Sequence, residues 1–177
     1  MNIADGSVRS PSIEAARPGD LTGIQWLLDL ESLPSADLTE TALEHFLVVR
    51  DEVGVVGVVG LEAYGKVALL RSLVVANSHA GQGIGRGVVV AAESLAARLG
   101  CRSIYLLTTT AEAFFELLGF RRIERHAAPP EIQQSSEFSS LCPSSATVMA
   151  KPGTPESTTS YFCVPAIRHA ASLPSRS

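Results

Sequence analysis

Charge is scarce in this chain: Asp, Glu, Lys and Arg make up 18% of its 177 residues, and the formal net charge at pH 7 is −4. Neutralising a phosphate backbone takes a basic face, so this composition argues against nucleic acid as a partner. Cysteine is scarce too. Cys101, Cys142 and Cys163 form no CxxC pair, which speaks against a disulfide framework or a zinc knuckle. The thiols read as inert, with metalloid binding as the alternative. No apolar stretch approaches the roughly 20 residues of a membrane span, and no basic-then-apolar leader opens the chain. The expected location is the cytoplasm, with no membrane partner. The phosphate-loop pattern GxxxxGK[ST] is missing, which argues against nucleotide hydrolysis.

What is present is a core. Hydrophobic residues make up 46% of the chain, enough for one domain of the globular, enzyme-like class. "SIEAA" (12–16) reads as a short strand. "RPGDLTGIQWLLDL" reads as a helix with Asp20 as its cap and Leu21, Ile24, Leu27 and Leu28 on one face. Trp26 in this helix is expected at the core or its rim. A second short helix over "LPSADLTETALEHF" takes Asp37 or Thr39 as its cap.

The period then changes. Apolar runs broken at Asp51-Glu52 and at Tyr64-Gly65-Lys66 predict three strands joined by tight turns, with the run 53–61 apolar on both faces and central in the sheet. Val88, Ala92, Leu95 and Leu99 recur at helical spacing and stop at Gly100. "SIYLL" is a strand, "TTAEAFFELLGF" a helix stopped by Gly119, "RRIERH" the start of a strand, and 146–151 the last strand. The order predicts an α/β (α+β) fold with a mixed, mostly antiparallel sheet and helices on both faces. The domain is expected over 12–151, after a loose N-terminus (1–11). A disordered tail rich in Pro, Ser and Thr should follow over 152–177, with Tyr161-Phe162-Cys163-Val164 as its one apolar knot.

One segment asks for a ligand. "SHAGQGIGRG" (78–87) places glycine at 81, 83, 85 and 87 between an apolar strand and a helix. Such a turn aims unpaired backbone N–H groups and the positive end of the helix dipole at one point, where an anion such as phosphate fits. The spacing differs from GxGxxG, and the preceding strand belongs to an antiparallel meander, which counts against a Rossmann site.

The strings "LLRSLVVANSHAGQGIGRGVVVAAESLAARLG" and "LTTTAEAFFELLGF" resemble the acetyl-CoA-binding core of the GNAT superfamily of N-acetyltransferases, and the resemblance covers about residues 12–151. Within it, "LLTTTAEAFFELLGF" is similar to the amino-acid acetyltransferases, including the acetyltransferase domain of N-acetylglutamate synthase. "LRSLVVA", "IYLLTTTAEAFF" and "EFSSLCPSSA" most resemble the arsenic-resistance-associated N-acetyltransferases. The resemblance implies an acyl-CoA N-acyltransferase fold and acetyl-CoA as co-substrate. The acceptor it implies is the amine of a small amino acid or amino-acid-like toxin. A homodimer is compatible with it.

Carried over by position, Leu73 and Val75 would pair with the pantetheine arm, and the Val75 N–H would hold the thioester oxygen. The amides of Gly81, Gln82, Gly83, Ile84 and Gly85 would cradle the pyrophosphate, with Arg86 nearby. The family pattern Gln/Arg-x-x-Gly-x-Gly/Ala has Ala80 in its first position here. Leu69 stands where a general base is often found, Phe115 where a Tyr often reprotonates the thiolate, and Thr108 where an Asn often contacts pantetheine. The base is therefore unassigned; a water relay to a backbone carbonyl or to Glu62 would serve. Arg71, whose fork suits a carboxylate, phosphinate or arsonate, and Ser72 are the expected acceptor-side residues, with Ser144-Ser145 in the same pocket. For Arg71 a pairing with Glu62 is the competing reading. Arg121, Arg122 and Arg125 read as a solvated face. The missing side chains at 69, 80 and 115 keep a non-catalytic acetyl-CoA-binding module as the second hypothesis.

Overall fold

The apolar stretch after residue 45 folds as a meander of β2 (Phe46–Arg50), β3 (Val55–Tyr64) and β4 (Val67–Val75). In the computed structural model, which describes residues 12–153, each turn has a local chemical cause. Gly65, at φ +66°, forms with Lys66 the two-residue turn that joins Tyr64 to its partner Val67. At the other turn the Asp51 carboxylate accepts the N–H groups of Val53 and Gly54. The earlier β1 (Ile13–Ala15) pairs antiparallel with β2.

Alternation along the strands supplies both faces. Val58 packs with Val48, Val74 and the helix α1 (Leu21–Leu30), through Ile24, Leu27 and Leu28. Its neighbour Val59 faces the other way, onto α2 (Ile84–Arg98), through Val88, Val89, Ala92 and Ala96. β3 is thus buried on both sides, as its uninterrupted apolar run requires.

The second half adds β5 (Ser103–Thr108), α3 (Glu112–Leu117), β6 (Arg121–Ile123), α4 (Pro130–Gln133), a π-helical turn Glu137–Leu141 and β7 (Thr147–Pro152). The sheet order is β1-β2-β3-β4-β5-β7-β6, and only the β4–β5 pair is parallel. This is the expected mixed, mostly antiparallel sheet with helices. The last strand reaches Pro152, one residue beyond the expected boundary. The expected loose N-terminus, the tail beyond 153, its apolar knot and Cys163 lie outside the described residues.

Two local expectations, for Asp20 and Trp26, are corrected, and the choice of cap between Asp37 and Thr39 falls to Thr39. Asp20 holds the N-cap position of α1, but its side chain makes no capping bond. Its carboxylate instead accepts the Arg17 N–H and pairs with Arg50, because a 3₁₀ turn leads into the helix and aims the carboxylate back at the strand. Thr39, not Asp37, caps the 3₁₀ helix Glu40–His45, accepting the Ala42 N–H at 3.3 Å. Trp26 is 63% exposed, since the neighbouring Ile24, Leu27 and Leu28 take the inner face.

Candidate active site

The parallel ladder between β4 and β5 is short. It pairs Val67, Ala68 and Leu69 with Ser103, Ile104 and Tyr105, and stops there, although β4 continues to Val75 and β5 to Thr108. Beyond it the strands diverge around a cleft of about 840 Å³, lined by 69–75, 106–111, the turn after α1 and the segment from Glu137 to Ala146. The other edge of each strand is paired, β4 to β3 and β5 to β7, so the strand edges facing the cleft carry the free main-chain groups. The Ala76 N–H donates to the Val56 carbonyl at 2.8 Å. Strand alternation therefore turns the Val75 N–H to the cleft.

A bulge sharpens this geometry. The β3–β4 register slips between Val58 and Gly60, and the residue absorbing it is Ser72, a non-glycine at φ +55°. Such backbone costs roughly 1–3 kcal/mol and bends the strand that carries it. Here it bends the wall of the cleft. Ser72 is half-buried, lines the cleft and accepts Arg71 Nε at 3.2 Å.

At the far end of β4 the chain enters the glycine segment. Gly81 and Gly83 adopt φ +77° and +76°, and nothing lies within 4 Å of where their Cβ atoms would sit. Gly83 is the N-cap of α2, and the first helical bond runs from the Gly87 N–H to its carbonyl at 3.0 Å. The N–H groups of Ile84, Gly85 and Arg86 make no main-chain bond among the described residues. Ile84 itself is buried under the sheet, while Gln82 and Arg86 are exposed. The segment expected to cradle an anion thus presents an open crown of main-chain donors beyond the end of β4. These donors fit a diphosphate.

Arg71 is not a free fork. Its guanidinium is buried and meets three carboxylates: Asp37 at 2.6 Å, Glu62 at 2.7 Å and Glu137 at 2.9 Å. Burial works against its charge, but the hydrogen bonds it donates to Asp37 and Glu62 outweigh that and hold its pKa above the ordinary arginine value. The pairing with Glu62, one of the two readings of Arg71, is what the structure shows; the donors expected for an acceptor oxyanion are engaged within the chain. Three carboxylates against one guanidinium leave two negative charges in excess.

Leu69 is fully buried against Ala128, Ile132 and Val148. Phe115 lines the cleft but is locked edge-to-face between Phe114 and Phe120. Thr108 lines the cleft too, and its Oγ1 accepts the Ala111 N–H at 3.0 Å, which turns the chain into α3. Glu62 is not among the cleft-lining residues; its Oε1 accepts Arg71 and its Oε2 accepts the Tyr64 hydroxyl. Ser144 and Ser145 are exposed and outside the cleft lining, where Pro143 and Ala146 stand instead. Arg125 does more than face solvent: it donates to the Phe138 carbonyl at 2.9 Å and lies 4.2 Å over the Phe138 ring, fixing the π-helical turn.

That turn is what the sequence reading missed. Glu137 and Cys142 both line the cleft, and the thiol donates to Glu137 Oε2 at 2.9 Å. Burial and the Glu137 acceptor push the Cys142 pKa up to about 12, and burial raises Cys101 as well. Both thiols are held protonated, which disfavours thiolate ligation by either. Within "EFSSLCPSSA" the acid five residues before a cysteine is the available signal.

A curated protein is similar to this chain in sequence. The uncharacterized N-acetyltransferase CT2212 of Chlorobaculum tepidum is 32% identical over 139 residues, spanning 75% of this chain and 86% of that protein. The chain belongs to the GNAT acetyltransferases. The acetyltransferase (GNAT) domain model matches residues 42–122, from within the 3₁₀ helix before the meander through α3 and into β6. Among solved structures, Rv2747 from Mycobacterium tuberculosis, in complex with CoA, has a TM-score of 0.69 at 24% identity over 80% of this chain and 99% of that one. N-acetylglutamate synthase from Neisseria gonorrhoeae, complexed with coenzyme A and N-acetyl-glutamate, has a TM-score of 0.72 at 16% identity over 82% of this chain. This chain spans about a third, 35%, of that longer protein. Both likenesses show the acyl-CoA N-acyltransferase fold of this GNAT chain. No helix among the described residues is long and apolar enough to cross a membrane.

Proposed function

We propose that this protein transfers the acetyl group of acetyl-CoA to the amine of a small amino acid or amino-acid-like toxin, an arsenic-bearing one included. The observation that carries the reading is the splay of β4 from β5, with the Val75 N–H turned into it and the glycine crown beside its end. A diphosphate sits on the amides of Gly81, Gln82, Gly83, Ile84 and Gly85, with Arg86 adjacent. The pantetheine arm runs as a pseudo-strand along Leu73 and Val75, past Thr108 and Phe115. The Val75 N–H polarises the thioester carbonyl, a contribution worth about 3 kcal/mol for one well-placed donor. The relatives solved with coenzyme A support the choice of co-substrate, and the synthase solved with N-acetyl-glutamate supports an amino-acid acceptor. A carboxylate on that acceptor would compete for Arg71 with Asp37, Glu62 and Glu137. Arg71 and Ser72 thus shape the acceptor wall.

The burial of Leu69 and Phe115 favours a second reading, an acetyl-CoA-binding module without turnover. One experiment separates the two. Purified protein is mixed with acetyl-CoA and each standard amino acid, and free thiol is trapped. Thiol release above background with an amine is the expected result. Calorimetric binding of acetyl-CoA with no release from any amine would support the module, and no binding at all would remove both readings.

A further inference from the structure

We propose that Glu137 is the group that takes the proton from the acceptor's ammonium, an assignment that rests on the acetyltransfer reading and completes it. The positions that would ordinarily supply a base are closed: Leu69 is apolar, and Glu62 is not among the residues that line the cleft. Three acids line the cleft, Asp29, Glu31 and Glu137. The first two are exposed at its rim, where Asp29 accepts the Ser35 hydroxyl and Glu31 accepts the Asn77 amide. Glu137 alone of the three is buried, at 6% exposure. It stands beside Arg71 and Ser72, on the stretch of β4 that leads into the Leu73–Val75 edge.

Its partners suit the task. Arg71 Nη2 pairs with Oε1 at 2.9 Å and the Cys142 thiol donates to Oε2 at 2.9 Å, so each oxygen has one partner and keeps a lone pair that can accept a proton. Asp37 and Glu62 pair with the same guanidinium, and Arg125 braces the π-helical turn through Phe138. The excess negative charge of the cluster draws a cation to this wall, and an ammonium is a cation. Single π-turns of this kind recur at functional sites.

The protons balance. The ammonium gives one proton to Glu137 and becomes a neutral amine. Its lone pair forms the C–N bond to the acetyl carbon, the C–S bond breaks, and the electron pair leaves on the coenzyme sulfur. The second proton shed by nitrogen as the amide forms neutralises that thiolate. The products are the N-acetylated acceptor and free coenzyme thiol, and Glu137 returns its proton to water.

The test is E137Q, assayed with acetyl-CoA and whichever amino acid the wild type acetylates. At pH 7 its kcat/KM should fall at least about 10²-fold, the ordinary worth of a positioned base. The loss should shrink as pH rises towards the amine's own pKa, because a free amine needs no base; a merely structural defect would not recover in this way. Calorimetric affinity for acetyl-CoA should stay within about threefold of wild type. A ligand-free readout accompanies it: without the anionic acceptor, Cys142 should react with iodoacetamide at lower pH in E137Q than in wild type. If E137Q does not fold, E137D carries the test, with a slower rate and an unchanged pH dependence expected. An active wild type with an equally active E137Q, a loss that does not vary with pH, or unaltered Cys142 alkylation overturns the assignment alone. A wild type that releases no thiol with any amine overturns it together with the acetyltransfer reading.

Discussion

Leu69 and Tyr105 form the last rung between β4 and β5, and the site begins where they end. Up to that rung the two strands hold each other through parallel hydrogen bonds. After it each keeps only its outer partner, and the facing edges hold donors and acceptors for a ligand's extended arm. The same divergence explains why Leu69, at the position where the family resemblance points to a base, sits inside the packed end of the sheet. The chemistry falls instead to side chains that reach the cleft from 137–142.

The glycine crown is tested by Gly83→Ala. With φ at +76° and nothing within 4 Å of the added methyl, the stability cost is conformational and should be about 1 kcal/mol. The methyl would, however, stand among the donors in front of α2. Calorimetry with coenzyme A should show a weakening greater than tenfold, well beyond the change in folding stability. Equal affinities in the two proteins would place the diphosphate elsewhere.

Gly60→Ala probes the core. A Cβ there would come 2.6 Å from Cε2 of Phe46, a fully buried ring that lies across Gly60 from the neighbouring strand. The ring cannot shift without disturbing α1, so the substitution should destabilise by about 1–3 kcal/mol. Chemical denaturation reads this directly, with coenzyme A affinity per folded molecule unchanged.

These two glycines show how far the sequence speaks. Gly83 is legible, because alternating glycines between a strand and a helix point to a backbone that must turn left-handed and stay bare. Gly60 is not, because its reason is an aromatic ring fourteen residues away in sequence. The meander, both long helices and the glycine turn follow from period and punctuation. The bulge at Ser72 does not, since nothing local distinguishes that serine from its neighbours. Arg71 is legible as an oddity in an apolar strand, but its three partners come from 37, 62 and 137, and only the fold brings them together. Asp20 reads as a cap because Asp before an apolar period usually is one; Arg50 on β2 competes successfully for the same carboxylate.

Asp20 gives a dependence on acidity. Burial alone would raise its pKa, but the Arg50 hydrogen bond, the Arg17 N–H and their charges outweigh that and hold it below the ordinary 3.8. A carboxyl lowered on folding stabilises the protein above the unfolded pKa, and that contribution is lost as pH falls through the folded value. Asp20→Asn should therefore cost on the order of 1 kcal/mol at pH 7. The gap between variant and wild type should close below pH 4, and urea melts across pH 2–7 measure it.

Arg71→Met tests the cluster as a whole. The substitution keeps volume and removes the guanidinium that Asp37, Glu62 and Glu137 share, so it strands the buried Glu137 and the half-buried Asp37 and Glu62 against one another. Breaking a buried ionic network in this way costs about 3–5 kcal/mol. The sign of its pH dependence is opposite to that of Asp20. Carboxylates crowded without a guanidinium bind protons more tightly folded than unfolded, so stability should be least impaired in acid and worsen as pH rises through the carboxylate range. Thermal melts of R71M at pH 4 and pH 7 should show a smaller deficit at the lower pH. Arg71→Lys should fall between wild type and R71M, because one ammonium can neutralise the cluster but cannot span three carboxylates at once. A pH-independent deficit in R71M would mean that Arg71 serves chiefly as packing. The acidic wall would then lose its organising cation, and the orientation of Glu137 would have to come from Cys142 and the π-helical turn.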